Sequence, residues 1–244
     1  MSTQTSIEWT ELTWNPTIGC SKISPGCKYC YAERMACRLQ AMGMHGYENG
    51  FEMRLMPDRL EQPLKRRKPT LYFVNSMSYL FHSKVPDDFI DKVFAVIHQT
   101  PQHAYQILTK RADRLPDYFS SRECPDNAWI GVTVEDKEFG LPRIDYLRQV
   151  NAPIRFLSIE PLLEDLGEIN LDGIHWVIVG GESGFTPRPM KGQWVENIQI
   201  QADEAGAAFF FKQWGGWGAD GVKRNKKKNG RIFKGQTWDS FPNH

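Results

Sequence analysis

Short, nearly continuous apolar runs alternate along the chain with segments of helical character. Six of these runs are predicted as strands: Leu71–Asn75, Tyr105–Thr109, Trp129–Val134, Ile154–Ile159, Trp176–Gly180 and Ala208–Lys212. A further strand is predicted over Leu12–Gly19, before the first cysteine. Apolar runs that do not alternate with polar residues are typical of strands buried on both faces, as in a parallel sheet covered by helices.

Helices are predicted between these strands. Their expected ranges are Tyr31–Met42, Asp87–Gln99, Ala112–Phe119, Glu138–Val150 and Val195–Ala205. Because right-handed crossovers wind alternating strands and helices into a ring, the pattern predicts an α/β fold, a partial or complete (β/α) TIM-like barrel. A doubly wound open sheet is the alternative. We expect residues 1–244 to form a single barrel domain with a basic C-terminal extension around 214–244.

The composition is that of an ordinary soluble protein, with 41% hydrophobic and 24% charged residues and a formal net charge of +1. The first residues lack the apolar core of a signal peptide, and no apolar stretch is long enough to cross a membrane. We therefore predict a cytoplasmic protein with no membrane partner. In that compartment the five cysteines are not expected to form structural disulfides.

Three cysteines, Cys20, Cys27 and Cys30, follow the first predicted strand with the spacing Cys-x6-Cys-x2-Cys. Thiolates are the usual ligands of iron–sulfur clusters, and three of them on a four-iron cluster leave one iron open to a cofactor. The alternative is a tetrahedral zinc site completed by Cys37, His45 or a more distant histidine. The spacing alone leaves both metals open.

The cysteine loop resembles that of radical S-adenosylmethionine (SAM) enzymes, in which Cys-x3-Cys-x-aromatic-Cys follows the first barrel strand. Here Tyr29 is the aromatic residue, and the first gap has six residues instead of three. Over nearly the whole chain the sequence is similar to a phage-associated, uncharacterised three-cysteine family. The matching blocks are TWNPTIGCSKISPGCKYCYAE, LYFVNSMSYLFH, YQILTKR, WIGVTVED, RFLSIEPLL, WVIVGGESG with Arg188-Pro189, and FFFKQWGG.

This resemblance implies a radical-SAM-type barrel, a [4Fe-4S] cluster on the three cysteines, and cleavage of SAM to a 5′-deoxyadenosyl radical with an electron from a donor. It also implies that residues at the strand ends hold SAM. Asn75 and Ser76 are the candidates for its amine, and Thr133 and Glu135 for its ribose. The remaining candidates for SAM contacts are Glu160, Gly180, Gly181 and Glu182.

A basic run near the C-terminus resembles a phosphate-contacting loop and predicts a nucleic-acid partner. Its charges are Lys223, Arg224, Lys226, Lys227, Lys228 and Arg231. A second basic cluster, residues 65–68, precedes the first clear strand. Two other functions stay open from the residues alone: a zinc-stabilised nucleic-acid-binding protein, and a barrel hydrolase that uses Glu135, Glu160 and Glu182 as acid–base groups.

Overall fold

The structure, a computed structural model, describes residues 3–5 and 7–243 and is built around one curved eight-stranded sheet. The strands are β1 (Thr3–Gln4), β2 (Leu12–Trp14), β3 (Thr17–Ile18), β4 (Arg54–Leu55), β5 (Leu71–Val74), β6 (Ala104–Thr109), β7 (Ala128–Thr133), β8 (Ile154–Ile159), β9 (Trp176–Gly180) and β10 (Ala208–Gln213). The α-helices are α1 (Tyr31–Ala41), α2 (Asp87–His98), α3 (Arg114–Phe119), α4 (Pro142–Arg148), α5 (Gly192–Glu204) and α6 (Lys226–Asn229). Single 3₁₀ turns lie at Pro25–Cys27, Pro57–Arg59 and Pro63–Lys65.

The strand order confirms the predicted partial barrel. The sheet runs β1-β2-β5-β6-β7-β8-β9-β10, and the seven strands from β2 to β10 are parallel. β1 adds antiparallel to β2, and β1 and β10 are the two edge strands, which do not pair with each other to close a barrel. Chain order and spatial order are the same, which excludes the doubly wound alternative, where strand order reverses at a switch point.

Because successive side chains along a strand point to opposite sides, the sheet has two different faces. One face packs against the helices and carries aliphatic and aromatic residues such as Tyr105 and Val177. The other encloses the barrel interior, where Trp129, Phe156 and Trp176 form an aromatic layer. A Cβ at Gly131 would lie 2.4 Å from the Phe156 ring, so glycine makes room for this layer.

Two predicted elements differ from the structure. The strand over Leu12–Gly19 divides into β2 and β3, because Pro16 has no N–H for a ladder and the Asn15 side chain accepts from Met77 N (3.2 Å). β3 then pairs with β4 in a separate two-stranded sheet. The helix expected from Glu138 begins at Pro142, because residues 137–140 form a turn in which Phe139 N donates to Asp136 Oδ1 (2.7 Å).

The segment that follows β10 covers that edge of the sheet. Phe211 N donates to Trp238 O (2.9 Å), and the Trp176 indole donates to Ser240 O (2.9 Å). This contact removes an exposed strand edge, a common site of unwanted pairing. Among the described residues, no helix is long and apolar enough to span a bilayer.

Candidate functional site

A cavity of about 530 Å³ opens at the carboxyl ends of the parallel strands, above the aromatic layer of the barrel interior. In α/β barrels this end of the sheet carries the active site. The cysteine loop, residues 20–30, forms one wall. The lining includes all three cysteines and, among the predicted site residues, Asn75, Ser76, Thr133, Glu160, Gly181 and Glu182.

The cysteine loop connects β3 to α1. Gly19 begins it with a φ of +74°, and a Cβ there would lie 2.0 Å from Glu52 O, so this turn requires glycine. Cys20 N donates to Phe51 O (3.1 Å), Cys27 closes the Pro25–Cys27 turn, and Cys30 is the N-cap residue of α1. Backbone contacts therefore fix the position of the backbone at each of the three cysteines.

Within the described residues all five cysteines are free thiols. Burial raises the pKa of Cys20 to about 11, Arg111 opposes this rise, and Cys27 and Cys30 add to it. The three thiols are therefore close enough to influence one another. No group of three or more His, Cys, Asp or Glu side chains in the described part of the chain is arranged to hold a metal ion. A four-iron cluster is larger than one ion and holds its ligands farther apart.

Two side chains from distant parts of the sequence, His82 and Arg111, form hydrogen bonds with the start of the loop. The Ser21 hydroxyl lies 2.9 Å from His82 Nε2 and accepts from Arg111 Nη2 (2.6 Å). Lys84 N donates to His82 Nδ1 (3.1 Å), so the ring proton sits on Nε2. Burial, together with Arg111, lowers the pKa of His82 to about 4, which keeps the imidazole neutral.

Two predicted SAM-binding residues in the cavity lining each have a buried polar atom without a described partner. Asn75 has a φ of +61° and its Oδ1 accepts from Thr17 N (3.2 Å), which leaves its Nδ2 buried with no partner among the described residues. Thr133 Oγ1 is likewise buried without a described partner. A buried polar atom without a partner costs about 1–3 kcal/mol. Both atoms therefore fit a bound ligand, with Asn75 as a donor that suits a carboxylate better than the predicted amine.

The three strand-end carboxylates all have cationic partners. Lys110 Nζ (2.9 Å) and Arg143 Nη1 (2.6 Å) bind the fully buried carboxylate of Glu135. Glu182 binds Arg188, and Glu160 accepts from Lys212 Nζ at 2.8 Å on both oxygens.

Burial alone would raise the pKa of Glu135, but Lys110 and Arg143 hold it below its ordinary value. Each of the carboxylates predicted for a hydrolase is thus held in an ion pair, with no unpaired general base among the three.

The remaining predicted site residues make protein contacts. Ser76 Oγ donates to Asn15 Oδ1 (3.2 Å). A Cβ at Gly180 would lie 3.4 Å from the Glu160 carboxyl group. A Cβ at Gly181 would lie 2.0 Å from Trp214 O, so the close approach at Gly181 is to the backbone of the neighbouring strand end.

Several residues at the site were not assigned a SAM contact from the sequence. Ser24, Arg143 and Arg188 bind the carboxylates of Glu135 and Glu182. Tyr79 lines the cavity. Burial raises its pKa, and the three nearby thiols add a smaller contribution in the same direction. Arg188 stands beside a proline in a recognisable motif, whereas nothing local in the sequence marks the others.

The basic run lies at the same end of the barrel, because it follows the carboxyl end of β10. Arg224 pairs with Asp220, and Arg231 pairs with Asp239. Lys226, Lys227 and Lys228 form α6, have no ion pair among the described residues, and Lys226 lines the cavity. Residues 65–68 precede β5 and so lie at the opposite, amino end of the barrel.

Comparison with known proteins gives a family and a fold. A family model described as a protein of unknown function, DUF5131, matches residues 4–242. A tyrosine-to-phenylalanine variant of spore photoproduct lyase has a similar structure, with a TM-score of 0.53, 10% identity, and 87% of this chain and 78% of that chain covered. At this identity the likeness concerns the fold alone. No curated protein matches the chain.

Two further structures of the same lyase are less similar. A cysteine-to-serine variant has a TM-score of 0.49 and 14% identity over 74% of this chain, which spans 58% of that protein's length. A doubly substituted variant, described with bound S-adenosylmethionine and a dinucleoside spore photoproduct, has a TM-score of 0.47 and 12% identity, with 84% of this chain and 64% of that chain covered.

Proposed function

The chain belongs to the DUF5131 family, and on that premise we propose that it is a radical-SAM-type enzyme. Cys20, Cys27 and Cys30 would hold a [4Fe-4S] cluster at the wall of the cavity, and SAM would occupy the space above the aromatic layer. With SAM and an electron donor, such a cluster supplies the reductive cleavage that produces a 5′-deoxyadenosyl radical. The observation that carries this proposal is the placement of three free thiols on the wall of a strand-end cavity.

The protein's own groups fit this ligand set. Asn75 Nδ2 would donate to the carboxylate of SAM, and Thr133 Oγ1 would bond a hydroxyl or ring nitrogen. The interior aromatic layer, with Phe73 and Leu108 in the cavity lining, excludes water below the ligand. Lys110 lies beside the loop, since a Cβ added to Gly26 would lie 3.0 Å from its Nζ, and a positive charge at this place would complement the thiolates. Burial lowers the pKa of Lys110, and Glu135 and then Cys27 oppose that lowering.

The test is metal analysis of anaerobically purified protein, with electron paramagnetic resonance spectra of the reduced protein with and without SAM. We expect about four irons and matching sulfide per chain, with a signal that SAM perturbs. One zinc and no iron would instead establish the zinc-stabilised alternative. Formation of 5′-deoxyadenosine over long incubation with SAM and a reductant then tests the activity itself.

Thr133→Val separates ligand binding from stability. Valine has the shape of threonine without the hydroxyl, and removal of an unpaired buried hydroxyl is neutral or stabilising in the ligand-free protein. If Oγ1 binds SAM, the variant should keep or raise its melting temperature and yet bind SAM about fivefold more weakly. Calorimetric titration of SAM and thermal unfolding of the same sample measure both. Unchanged affinity would remove Thr133 from the SAM site.

The basic helix supports a second proposal, that the substrate is a nucleic acid or nucleotide. Three lysines without acidic partners among the described residues form this helix: Lys227 and Lys228 are exposed, and the half-buried Lys226 lines the cavity. A phosphate backbone bound there would place a base or sugar near the SAM site. Binding of this kind falls as salt rises, because bound phosphates release counterions.

Substitution of Lys226, Lys227 and Lys228 by glutamine tests this interface. For single-stranded DNA the slope of log affinity against log salt should fall by about 2, since each phosphate contact contributes about 0.7. The matched control replaces Lys65, Arg67 and Lys68, three exposed cations at the opposite end of the barrel. Fluorescence anisotropy at several salt concentrations gives both slopes. Equal losses in the two variants would show that binding follows net charge and has no site at α6.

A further inference from the structure

The six-residue arm between Cys20 and Cys27 is held in its second half by two buried carboxylates from distant parts of the chain, one directly and one through an arginine. Ser24 Oγ donates to Glu135 Oε1. The next residue, Pro25, accepts from Arg188 Nη2 through its carbonyl (3.1 Å). These contacts join residues 111 and 163 positions apart, so they are set by the fold and not by the local sequence.

The first carboxylate belongs to Glu135, just after β7. Its side chain is 0% exposed, and Lys110 and Arg143 surround one oxygen while Ser24 binds the other. A Cβ added to Gly26 would lie 3.0 Å from Glu135 Oε1 and 3.0 Å from Lys110 Nζ. The arm therefore rests directly on this buried ion cluster.

The second carboxylate belongs to Glu182, just after β9, and acts through Arg188. Glu182 Oε2 accepts from the backbone N (2.8 Å) and Nε (2.9 Å) of Arg188, and Oε1 accepts from Nη2. This two-point contact fixes the plane of the guanidinium, whose Nη2 then reaches Pro25 O. The same guanidinium lies 5.6 Å from the centre of the Tyr29 ring, between the last two cysteines.

We propose that Glu135 and Glu182 are positioning residues that clamp the arm between Cys20 and Cys27, and so preset the spacing of the thiols for the cluster. The inference rests on the proposed function. It gives the longer first gap a physical role, because the last three residues of that gap, Ser24, Pro25 and Gly26, are the ones that the clamp holds. Neither carboxylate then needs to touch SAM.

The third strand-end carboxylate provides the internal comparison. Glu160 pairs with Lys212 and accepts from Gln213 Nε2 (3.3 Å), and its described hydrogen bonds and ion pair do not involve the cysteine loop. A change of Glu160 to glutamine therefore makes the same chemical alteration at the same end of the barrel without loosening the arm.

The experiment measures how often the arm opens in cluster-free protein, by the rate at which iodoacetamide alkylates the buried Cys27 thiol, read by peptide mass spectrometry. Arg188→Lys and Ser24→Ala each remove a contact to the arm and leave the carboxylates charged. Ser24→Ala also removes the 3.7 Å contact between Ser24 Oγ and Cys27 Sγ, so Arg188→Lys carries the test and Ser24→Ala supports it. Because a hydrogen bond to a charged group is lost, alkylation should become about tenfold faster in both. Glu182→Gln should behave in the same way, and Glu160→Gln should match the unaltered protein.

Alkylation in Ser24→Ala and Arg188→Lys at the rate of Glu160→Gln would overturn the clamp. Thermal unfolding of each variant separates local opening from global loss of structure, since for Ser24→Ala the clamp predicts faster alkylation with a melting temperature only about 2–6 °C lower, so that the protein stays folded during the alkylation. Failure of the proposed function is distinct: it would appear as no iron in the unaltered protein, whatever the alkylation rates. With iron present, looser variants should also show lower iron content and a broadened resonance signal.

Discussion

Replacement of Cys27 by serine should abolish the iron–sulfur cluster while replacement of Cys37 leaves it intact. Cys27 is buried at the cavity wall beside Lys110, whereas Cys37 is an exposed residue of α1. Serine keeps the size and polarity of the side chain but is a far poorer ligand for iron than a thiolate, so the change acts on metal binding more than on packing.

The measurement is iron and sulfide content after anaerobic reconstitution. We expect the unaltered protein and Cys37→Ser to hold about four irons per chain, and Cys27→Ser to hold fewer than about one. The same pair tests the zinc alternative, in which Cys37 was a candidate fourth ligand: there Cys37→Ser would lose its metal as well. Retention of iron by Cys27→Ser would remove this residue from the ligand set and contradict the proposed cluster.

The sheet was predictable because its signal is local and repeated. Strands such as β6 and β9 are buried on both faces, so each is an unbroken apolar run whose position the sequence reveals directly. Their parallel order follows from the helices between them. The boundaries of helices were less predictable where a single side chain determines them. Asp136 is an example, because its side chain accepts a hydrogen bond from the turn that precedes α4, and the helix begins only after that turn.

The roles of the polar residues at the strand ends were less predictable. The sequence shows which residues follow each strand, but the fold determines which way their side chains point. Glu135 and Thr133 stand two residues apart, yet Thr133 faces the cavity and Glu135 lies beneath the cysteine loop. The role of Glu135 follows from its hydrogen bond with Ser24, which lies 111 positions away in the sequence. No local pattern encodes such a contact, so a sequence alone cannot separate a ligand-binding carboxylate from one that holds a loop.

The glycine pair at the end of β9, Gly180 and Gly181, shows the same difference between a position read from the sequence and a contact set by the fold. Both residues were predicted to contact SAM. In the structure Gly181 N donates to Gln213 O (3.0 Å), and Gly216 N donates to Glu182 O (2.8 Å), so the ladder between β9 and β10 continues past both strands. A Cβ at Gly181 would lie 2.0 Å from Trp214 O, a backbone atom that cannot move without breaking this ladder.

Gly181→Ala should therefore lower the free energy of unfolding by at least about 3 kcal/mol, at the upper end of overpacking effects. Gly180→Ala is the matched control, because its Cβ would lie 3.4 Å from the Glu160 side chain, an ordinary contact distance, and should change stability by no more than about 1 kcal/mol. Urea unfolding of both variants, cluster-free, measures the difference. Similar stability in the two would mean that the strand ends separate readily, and the backbone would again be free to approach a ligand at Gly181.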